Sequence, residues 1–189
     1  MTRVIAGSAG GRPLQTPKGD ATRPTTDRVR EALFSRLESL LDFTDSRVLD
    51  LYAGSGALGL EAASRGAAHV LCIESNKPTA ALIERNAASV GLPMVSVWAD
   101  QTERALQRGP DMGAYDLVMA DPPYGVDEDA IADMLAALMT HEWLSAEAVV
   151  VLERSSRSPH PRWPAGLSAM RSKKYGETML HDAERVFGE

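Results

Sequence analysis

The sequence has 189 residues, a mass of 20.3 kDa, 44% hydrophobic residues and a formal net charge of -6, which suits one folded domain and excludes a disordered chain. One cysteine, Cys72, excludes an internal disulfide, and four scattered histidines lack metal-ligand spacing, so no metal site is predicted. The apolar runs are too short to cross a bilayer and the N-terminus lacks a signal-peptide core, so we expect a cytoplasmic protein without a membrane partner.

The first 44 residues are predicted to form an extension of the β–α type. Glycines within residues 4–14 indicate a hairpin or a glycine-punctuated extended segment. Residues 26–41 are predicted to be helical, because leucines recur with helical spacing and a threonine at 25 or 26 can cap the first turn. The extension therefore spans residues 1–44, and the main domain spans residues 45–189.

Short β-rich runs alternate with helical stretches from about residue 45 onward. Strands are predicted at 47–52, 69–74, 94–98, 115–120 and 148–153, and helices at 57–65, 78–90 and 128–139. A β-hairpin through Gly176 is predicted near the C-terminus. This alternation indicates a Rossmann-like α/β fold, with a mostly parallel sheet and helices on both faces.

Glycine punctuates the turn between the first main-domain strand and its helix. Gly54, Gly56 and Gly59 fit the dinucleotide-binding fingerprint, and Glu74 follows Gly54 by twenty residues, at the end of the next strand. Glycines let the backbone approach a ligand closely, and the acid can pair with ribose hydroxyls. A nicotinamide cofactor fits this motif alone, but Asp50, four residues before Gly54, favours a cationic ligand instead.

A second motif, Asp121-Pro122-Pro123-Tyr124, directly follows the fourth predicted strand of the main domain. The prolines stiffen the loop, so the Asp121 carboxylate and the Pro122 carbonyl can meet the two N–H donors of an exocyclic amine. Fixing both N–H bonds can turn the nitrogen lone pair toward a methyl donor, and the same acceptors stabilise the positive charge that develops. Tyr124 can stack on an unstacked base. The motif predicts methylation of a nucleic-acid base.

Charge is unevenly distributed along the chain. Residues 1–36 carry seven basic and three acidic side chains, residues 153–175 carry six basic and one acidic, and residues 37–152 carry six basic and eighteen acidic. Two basic segments therefore flank an acidic body. They form a phosphate-binding face if they converge in space, although ordinary solvated charge explains the pattern equally well.

The chain resembles class I methyltransferases of the Asp-Pro-Pro-Tyr type, and within them the RsmD group, which makes N2-methylguanine in small-subunit ribosomal RNA. The segments that carry the resemblance are 4–7, 11–12, 22–34, 50–62, 64–67, Glu74, Asn86 and 121–124. The Arg-Pro-Thr entry at residues 23–25 is the most group-specific part. Tyr52, where the group more often has Phe, is a conservative departure.

The resemblance implies a seven-stranded sheet with main-domain strands in the order 3-2-1-4-5-7-6 and S-adenosylmethionine as the cofactor. The implied cofactor-binding residues are Arg23, Pro24, Thr25, Asp50, Ala53, Gly54, Ser55, Gly56, Glu74, Asp100, Gln101 and Asp121. Glu74 would hold the ribose, Asp100 the adenine amine, and residues 23–25 would close over the cofactor. The implied catalytic residues are Asp121, Pro122 and Tyr124.

The implied substrate is ribosomal RNA, within a small-subunit particle or assembly intermediate, and the enzyme is expected to be a monomer. The candidate RNA contacts are Arg12, Arg23, Arg28, Arg30, Lys173 and Lys174. Three alternatives stay open: methylation of adenine N6 or cytosine N4 in DNA or RNA, an NAD-dependent dehydrogenase, and a non-catalytic RNA-binding assembly factor. The dehydrogenase would need a catalytic domain after the glycine motif, and the sequence offers no candidate for one.

Overall fold

A seven-stranded sheet lies at the centre of the computed structural model, which describes residues 1–19 and 26–187. The elements are, in chain order, β1 (Thr2–Arg3), β2 (Pro13–Leu14), α1 (Asp27–Glu38), β3 (Arg47–Leu51), α2 (Ala57–Ser64), β4 (His69–Ile73), α3 (Lys77–Val90), β5 (Val95–Trp98), α4 (Thr102–Arg108), β6 (Tyr115–Ala120), α5 (Glu128–Thr140), β7 (Leu144–Ser155), β8 (Leu167–Tyr175) and β9 (Thr178–Arg185).

The strand order in the central sheet is β5-β4-β3-β6-β7-β9-β8. Strands β3 to β7 are mutually parallel, and β9 runs antiparallel to both β7 and β8. This confirms the predicted Rossmann-like methyltransferase fold and the predicted strand order. The chain changes direction across the sheet between β3 and β6, which creates a switch point at the carboxyl ends of these two strands.

The predicted elements agree with the structure except at short or irregular places. Helix α1 ends at Glu38 and not at 41, since Ser39 bonds back to the Arg36 carbonyl; Leu40 and Leu41 still pack against the core. Helix α4 was not predicted, because seven residues hold too few apolar positions to show helical periodicity. In the described ranges, no helix is long and apolar enough to cross a membrane.

Alternating residues along the parallel strands build a separate apolar cluster on each face of the sheet. Val48 and Val70 point to the face that α1, α2 and α3 cover, whereas Leu49 and Leu71 point to the face that α4 and α5 cover. This period of two fixes the strand register, because a shift by one residue would exchange the faces. The helices on both faces therefore fix the register of the parallel strands, so that the ends of these strands lie together at one edge of the sheet.

The N-terminal residues pack on the main domain. Strands β1 and β2 pair antiparallel, and Val4, Ala9 and Leu14 are buried in the same cluster as α1 and α2. The division into an extension and a main domain at residues 44 and 45 stays a prediction.

A buried carboxylate, Glu61 on α2, fastens the N-terminal segment. Its oxygens accept the backbone N–H groups of Ile5 at 2.8 Å and Ala6 at 3.0 Å, and the side chain is fully buried. Arg65, one turn later, donates to Glu61 at 2.9 Å and to Glu38 of α1 at 2.7 Å. The carboxylate thus joins the N-terminal segment to α2, and Arg65 extends the connection to α1.

We expect Glu61→Ala to lower the free energy of unfolding by about 3–5 kcal/mol, because Arg65 and two backbone donors lose their buried acceptor. Glu38→Ala removes the exposed partner of the same arginine and should cost less than about 1 kcal/mol. Urea denaturation of both variants measures the difference. Equal losses would show that the buried position of Glu61 has no special importance.

Candidate active site

Acidic side chains follow five parallel strands at one edge of the sheet. Asp50 lies near the end of β3, Glu74 follows β4, Asp100 follows β5 and Asp121 follows β6. Glu153 lies on β7 directly after Leu152, the residue that pairs with Ala120 at the end of β6. Because the carboxyl ends of parallel strands share one edge, these five acids surround the switch point between β3 and β6.

The glycine turn above this edge takes backbone conformations that glycine favours. Gly54 has φ of 57° and Gly56 has φ of 80°, and the Gly56 N–H donates to the Ala53 carbonyl at 2.8 Å. A Cβ on Gly54 would meet no atom of the described residues within 4 Å. In the turn from Ala53 to Gly56, which includes Ser55, Gly54 therefore presents bare backbone to open space, where a ligand can approach closely, whereas Gly56 packs against Ile83.

Glu74 is held by two backbone donors. One carboxylate oxygen accepts the Gly54 N–H at 2.8 Å, and the other accepts the Asn76 N–H at 2.9 Å. A carboxylate has about four lone-pair sites, so each oxygen keeps acceptor capacity after these bonds. Glu74 thus offers two oriented oxygens beside the glycine turn, an arrangement that suits two neighbouring hydroxyl groups.

Asp50 is buried under the first turn of α2, where it accepts the Gly59 N–H at 2.9 Å. This bond replaces the side-chain cap that Gly56, the N-cap of α2, cannot supply. A Cβ on Gly59 would lie 2.7 Å from the Cys72 sulfur and 3.1 Å from Asp50, so the close approach requires glycine. Burial and, to a smaller extent, the charge of Glu74 raise the pKa of Asp50 to about 8, against the opposing effect of the Gly59 hydrogen bond.

The Asp-Pro-Pro-Tyr loop leaves the sheet at the end of β6. Pro122 is buried, and Tyr124 is 72% exposed. The Val126 N–H closes a turn onto the Pro123 carbonyl at 3.1 Å. Burial raises the pKa of Asp121 to about 8, the negative charges of Glu153 and Asp50 add to this effect, and the positive charge of Arg154 opposes it.

Asp100 is oriented by the start of α4. It accepts the Gln101 N–H at 2.8 Å and lies 3.4 Å from the Arg108 guanidinium and 3.6 Å from that of Arg104. Gln101 itself is exposed at the N-cap position of α4. Both side chains lie at the predicted edge of the sheet, and their roles in cofactor binding stay predictions.

The structure corrects the prediction that Arg30 contacts RNA. Its side chain is 1% exposed, and its guanidinium donates to the Arg3 carbonyl at 2.9 Å and to Asp27 at 2.6 Å. A guanidinium in this buried position is unavailable to a phosphate on the surface. Residues 23–25, predicted to close over the cofactor, lie outside the described residues.

The other candidate RNA contacts are exposed side chains, and they are Arg12, Arg28, Lys173 and Lys174. The two lysines lie near the end of β8, in the hairpin that reaches the same edge as the acids. At that edge Ser155 of β7 pairs with Thr178 of β9, and the Ser156 N–H donates to the Glu177 carbonyl at 2.8 Å. The basic end of β8 and the acidic site thus share one side of the molecule.

Three polar residues of this region were missing from the predicted site. Asn86 of α3 exchanges two 2.9 Å hydrogen bonds with the Gln15 backbone and donates to the Ser55 carbonyl at 3.2 Å, so it joins the N-terminal segment to the glycine turn. Glu153 and Arg154 lie on β7, and the parallel pairing of β6 with β7 is the signal that would have found them.

Elsewhere, a groove of about 590 Å³ lined by 38–43 and Arg65 holds none of the five acids.

Comparison with known proteins gives close relatives. A family model described as "Conserved hypothetical protein 95" matches residues 2–183. Ribosomal RNA small subunit methyltransferase D of Escherichia coli K12 is 35% identical over 176 residues, which cover 93% of this chain and 85% of the relative. The Haemophilus influenzae protein of the same name is 32% identical over 161 residues, which cover 83% and 80% of the two chains. A solved Escherichia coli structure, yhhF, titled as a methyltransferase candidate, superposes with a TM-score of 0.85 at 33% identity and covers 99% of both chains.

The raised pKa of Asp50 predicts that the protein loses stability as the pH rises. The folded state keeps Asp50 protonated up to about pH 8, whereas the unfolded chain ionises near 3.8, so the free energy of unfolding should fall between these values and then level off. Asp50→Asn keeps an acceptor for Gly59 and removes the titration. We expect this variant to match wild type near pH 4 and to be roughly 1–3 kcal/mol more stable at pH 8.

Urea denaturation at several pH values between 4 and 8 measures this effect. Asp133→Asn, a change at an exposed position of α5, is the matched control and should follow wild type throughout. If Asp50→Asn shows the same pH dependence as Asp133→Asn, Asp50 is ionised in the folded protein and the explanation is wrong.

Proposed function

The chain belongs to the RsmD family of class I methyltransferases, and from this membership we propose that it transfers a methyl group from S-adenosylmethionine to the exocyclic N2 of a guanine in small-subunit ribosomal RNA. The observation that carries the proposal is the position of the Asp121 carboxyl. It is half-buried at the switch point of the sheet, on a loop stiffened by two prolines, beside the glycine turn and Glu74.

The residues of the site fit the proposed cofactor. When bound, S-adenosylmethionine supplies an electrophilic methyl group on a positively charged sulfur. The free lone pairs of Glu74 can accept both ribose hydroxyls, and the bare backbone at Gly54 lets the remainder approach the turn closely. A positive charge near Asp50 and Asp121 would favour their ionised forms and so offset part of the rise in pKa that burial causes. Asp100 and Gln101 are the proposed partners of the adenine.

Asp121 and Pro122 act on the target amine. An aromatic amine is a poor nucleophile, because its lone pair is delocalised into the ring. The Asp121 carboxylate accepts one N–H and the Pro122 carbonyl accepts the other, which turns the lone pair out of conjugation and stabilises the positive charge that develops on nitrogen. The methylated nitrogen is then cationic and acidic. A carboxylate whose pKa is raised to about 8 is a competent acceptor for its proton, and water can also take it.

Exposed aromatic and basic side chains suit a structured RNA. Tyr124, 72% exposed, can stack on a guanine that has left its helix. The proposed phosphate contacts are Arg12, Arg28, Lys173 and Lys174, with Arg23 from the segment that closes over the cofactor. We expect the RNA to be recognised by its shape, since contacts from basic residues to phosphates carry no sequence information. The proposed substrate is an assembled or assembling small subunit in the cytoplasm. The proposed enzyme is a monomer.

Methyl transfer from labelled S-adenosylmethionine into small subunits from cells lacking this protein tests the proposal. Wild type should place the label in N2-methylguanosine, and Asp121→Asn should lower kcat by about 10²–10³-fold, since it removes the charge that stabilises the developing cation. Asp133→Asn, at an exposed position of α5, should transfer at the wild-type rate.

The product of this reaction distinguishes the alternatives. Label in N6-methyladenosine or N4-methylcytosine would keep the methyltransferase and discard the guanine. Equal rates on naked ribosomal RNA and on subunits would discard the particle as substrate. No transfer to any RNA or DNA, despite tight cofactor binding, would favour an assembly factor.

Cofactor binding has its own test at Glu74. Glu74→Ala removes both acceptors for the ribose and should raise the Kd for S-adenosylmethionine at least about 10-fold, as expected for the loss of charge-assisted hydrogen bonds. Glu84→Ala, at an exposed position of α3, is the control and should leave the Kd unchanged. Isothermal titration calorimetry measures both without RNA. An unchanged Kd for Glu74→Ala would exclude Glu74 from the cofactor site.

A further inference from the structure

Arg154, a buried arginine on β7, is bonded to the far end of the Asp-Pro-Pro-Tyr loop. Its side chain is 6% exposed, and one guanidinium nitrogen donates to the Val126 carbonyl at 3.1 Å and to the Glu128 carboxylate at 2.5 Å. Val126 in turn closes the turn onto Pro123. One side chain of the sheet therefore holds both the last residues of the loop and the first turn of α5.

We propose that Arg154 is a positioning residue for methyl transfer: it holds the loop from Asp121 to Val126 in place and sets the charge of the Asp121 carboxyl. This inference rests on the proposed function. Arg154 reaches Val126 and Glu128, beyond Tyr124, and so acts on the reaction through Asp121 and the loop.

The loop needs this outside support because its own backbone offers few hydrogen bonds. Pro122 and Pro123 have no N–H, and Tyr124 and Gly125 are exposed. Asp127 caps α5 through the Ala130 N–H at 2.8 Å, so the helix start is fixed on its own. The bond from Arg154 to Val126 connects the loop to the sheet and to the fixed start of α5. A loop displaced by about 1 Å would misalign the amine.

Charges from several elements act on Asp121. Burial and the negative charges of Glu153 on β7 and Asp50 on β3 disfavour its ionised form, whereas the positive charge of Arg154 favours it. Arg154 lies two residues beyond Leu152, the β7 residue that pairs with Ala120 directly before Asp121. Glu128 on α5 partly neutralises Arg154 through their ion pair. The protonation of Asp121 therefore depends on the balance between Arg154 and these acids.

His181 on β9 adds no charge of its own to this balance. Burial, then the charges of His160 and Arg154, lower its pKa to about 4, so the imidazole is neutral at working pH. Its Nδ1 lies 2.7 Å from the Ser172 hydroxyl, while its Nε2 and the Arg154 Nε are buried without a hydrogen-bond partner among the described residues. Because His181 is neutral, it does not change the effect that the charge of Arg154 has on Glu128 and Asp121.

Substitutions at Arg154 separate the two effects. Arg154→Met removes the bonds and the charge, and should lower kcat about 100-fold and move the acid limb of the kcat/KM profile up by about one pH unit. Arg154→Lys keeps the charge on a shorter side chain, whose nitrogen falls short of the position from which Arg154 donates to Val126 and Glu128, so kcat should fall while the limb stays near wild type. The Kd for S-adenosylmethionine should change less than about 2-fold in both, because Glu74 and the glycine turn are untouched.

Glu128→Gln gives a prediction of opposite sign, and the amide oxygen of glutamine can still accept a hydrogen bond from Arg154. Without the Glu128 charge, Arg154 acts more strongly on Asp121, so the acid limb should move to lower pH. Arg162→Met is the matched control, since Arg162 also pairs with an acid of α5, Asp129, but both of these side chains are exposed. It should leave kcat and the pH profile unchanged.

A ¹³C NMR titration of the Asp121 carboxyl carbon, assigned with Asp121→Asn, tests the electrostatic part without any methyl transfer. The midpoint should rise in Arg154→Met and fall in Glu128→Gln. If neither midpoint moves and kcat per folded molecule is unchanged, Arg154 is only structural and the inference is overturned. If the midpoints move as expected but wild type methylates nothing, the proposed function fails, and only the electrostatic effect of Arg154 on Asp121 stands.

Discussion

Parallel strands end at a common edge, and in this protein that geometry forces carboxyl groups together. Asp50, Glu74, Asp100, Asp121 and Glu153 each follow or end a different strand of one parallel run. Burial and the charges of neighbouring acids disfavour the ionised forms of Asp50 and Asp121, so the site is electrostatically unfavourable when only acids occupy it. A cationic ligand relieves this repulsion, which gives the edge a preference for positive charge before any specific contact forms.

The remaining features of the site hold this acidic edge in place. Glycine allows α2 to approach β3 and β4, so that the Asp50 carboxyl lies under the first turn of the helix. Backbone N–H groups orient Glu74, and proline stiffens the loop that carries Asp121. In each case the backbone fixes the position of a hydrogen-bond acceptor. Less conformational entropy is then lost during the reaction than if the acceptor were on a mobile side chain.

Local sequence patterns predicted the parts of this molecule that depend on local physics. The five parallel strands, the four longer helices and the glycine and proline motifs all carry periodicity or backbone preferences that a short window reveals. The strand order came from family resemblance, because periodicity does not specify which strands pair. Asp50 was predicted as a site residue, but its bond to Gly59 and the resulting raised pKa depend on burial that only the fold supplies.

Long-range polar contacts were beyond the sequence. Arg30 reads as a surface charge on a helix, yet tertiary packing buries it against Arg3 and Asp27. Arg154 and Glu128 are 26 residues apart, and Asn86 and Gln15 are 71 apart, so no local pattern connects them. Helix α4 was missed because it is too short to show a period. Such residues resemble ordinary surface polar groups until the strands that carry them are placed side by side.

The attachment of the N-terminal segment to α2 also constrains the order in which the chain assembles. The backbone of residues 5 and 6 is held by Glu61, 56 and 55 positions later respectively, so the first residues to be synthesised find their acceptor only after α2 has emerged. Contacts of such high sequence separation form late, once loop closure has been offset by other packing. The beginning of the chain is therefore expected to dock onto a sheet and helix that already exist, as one of the last steps of folding.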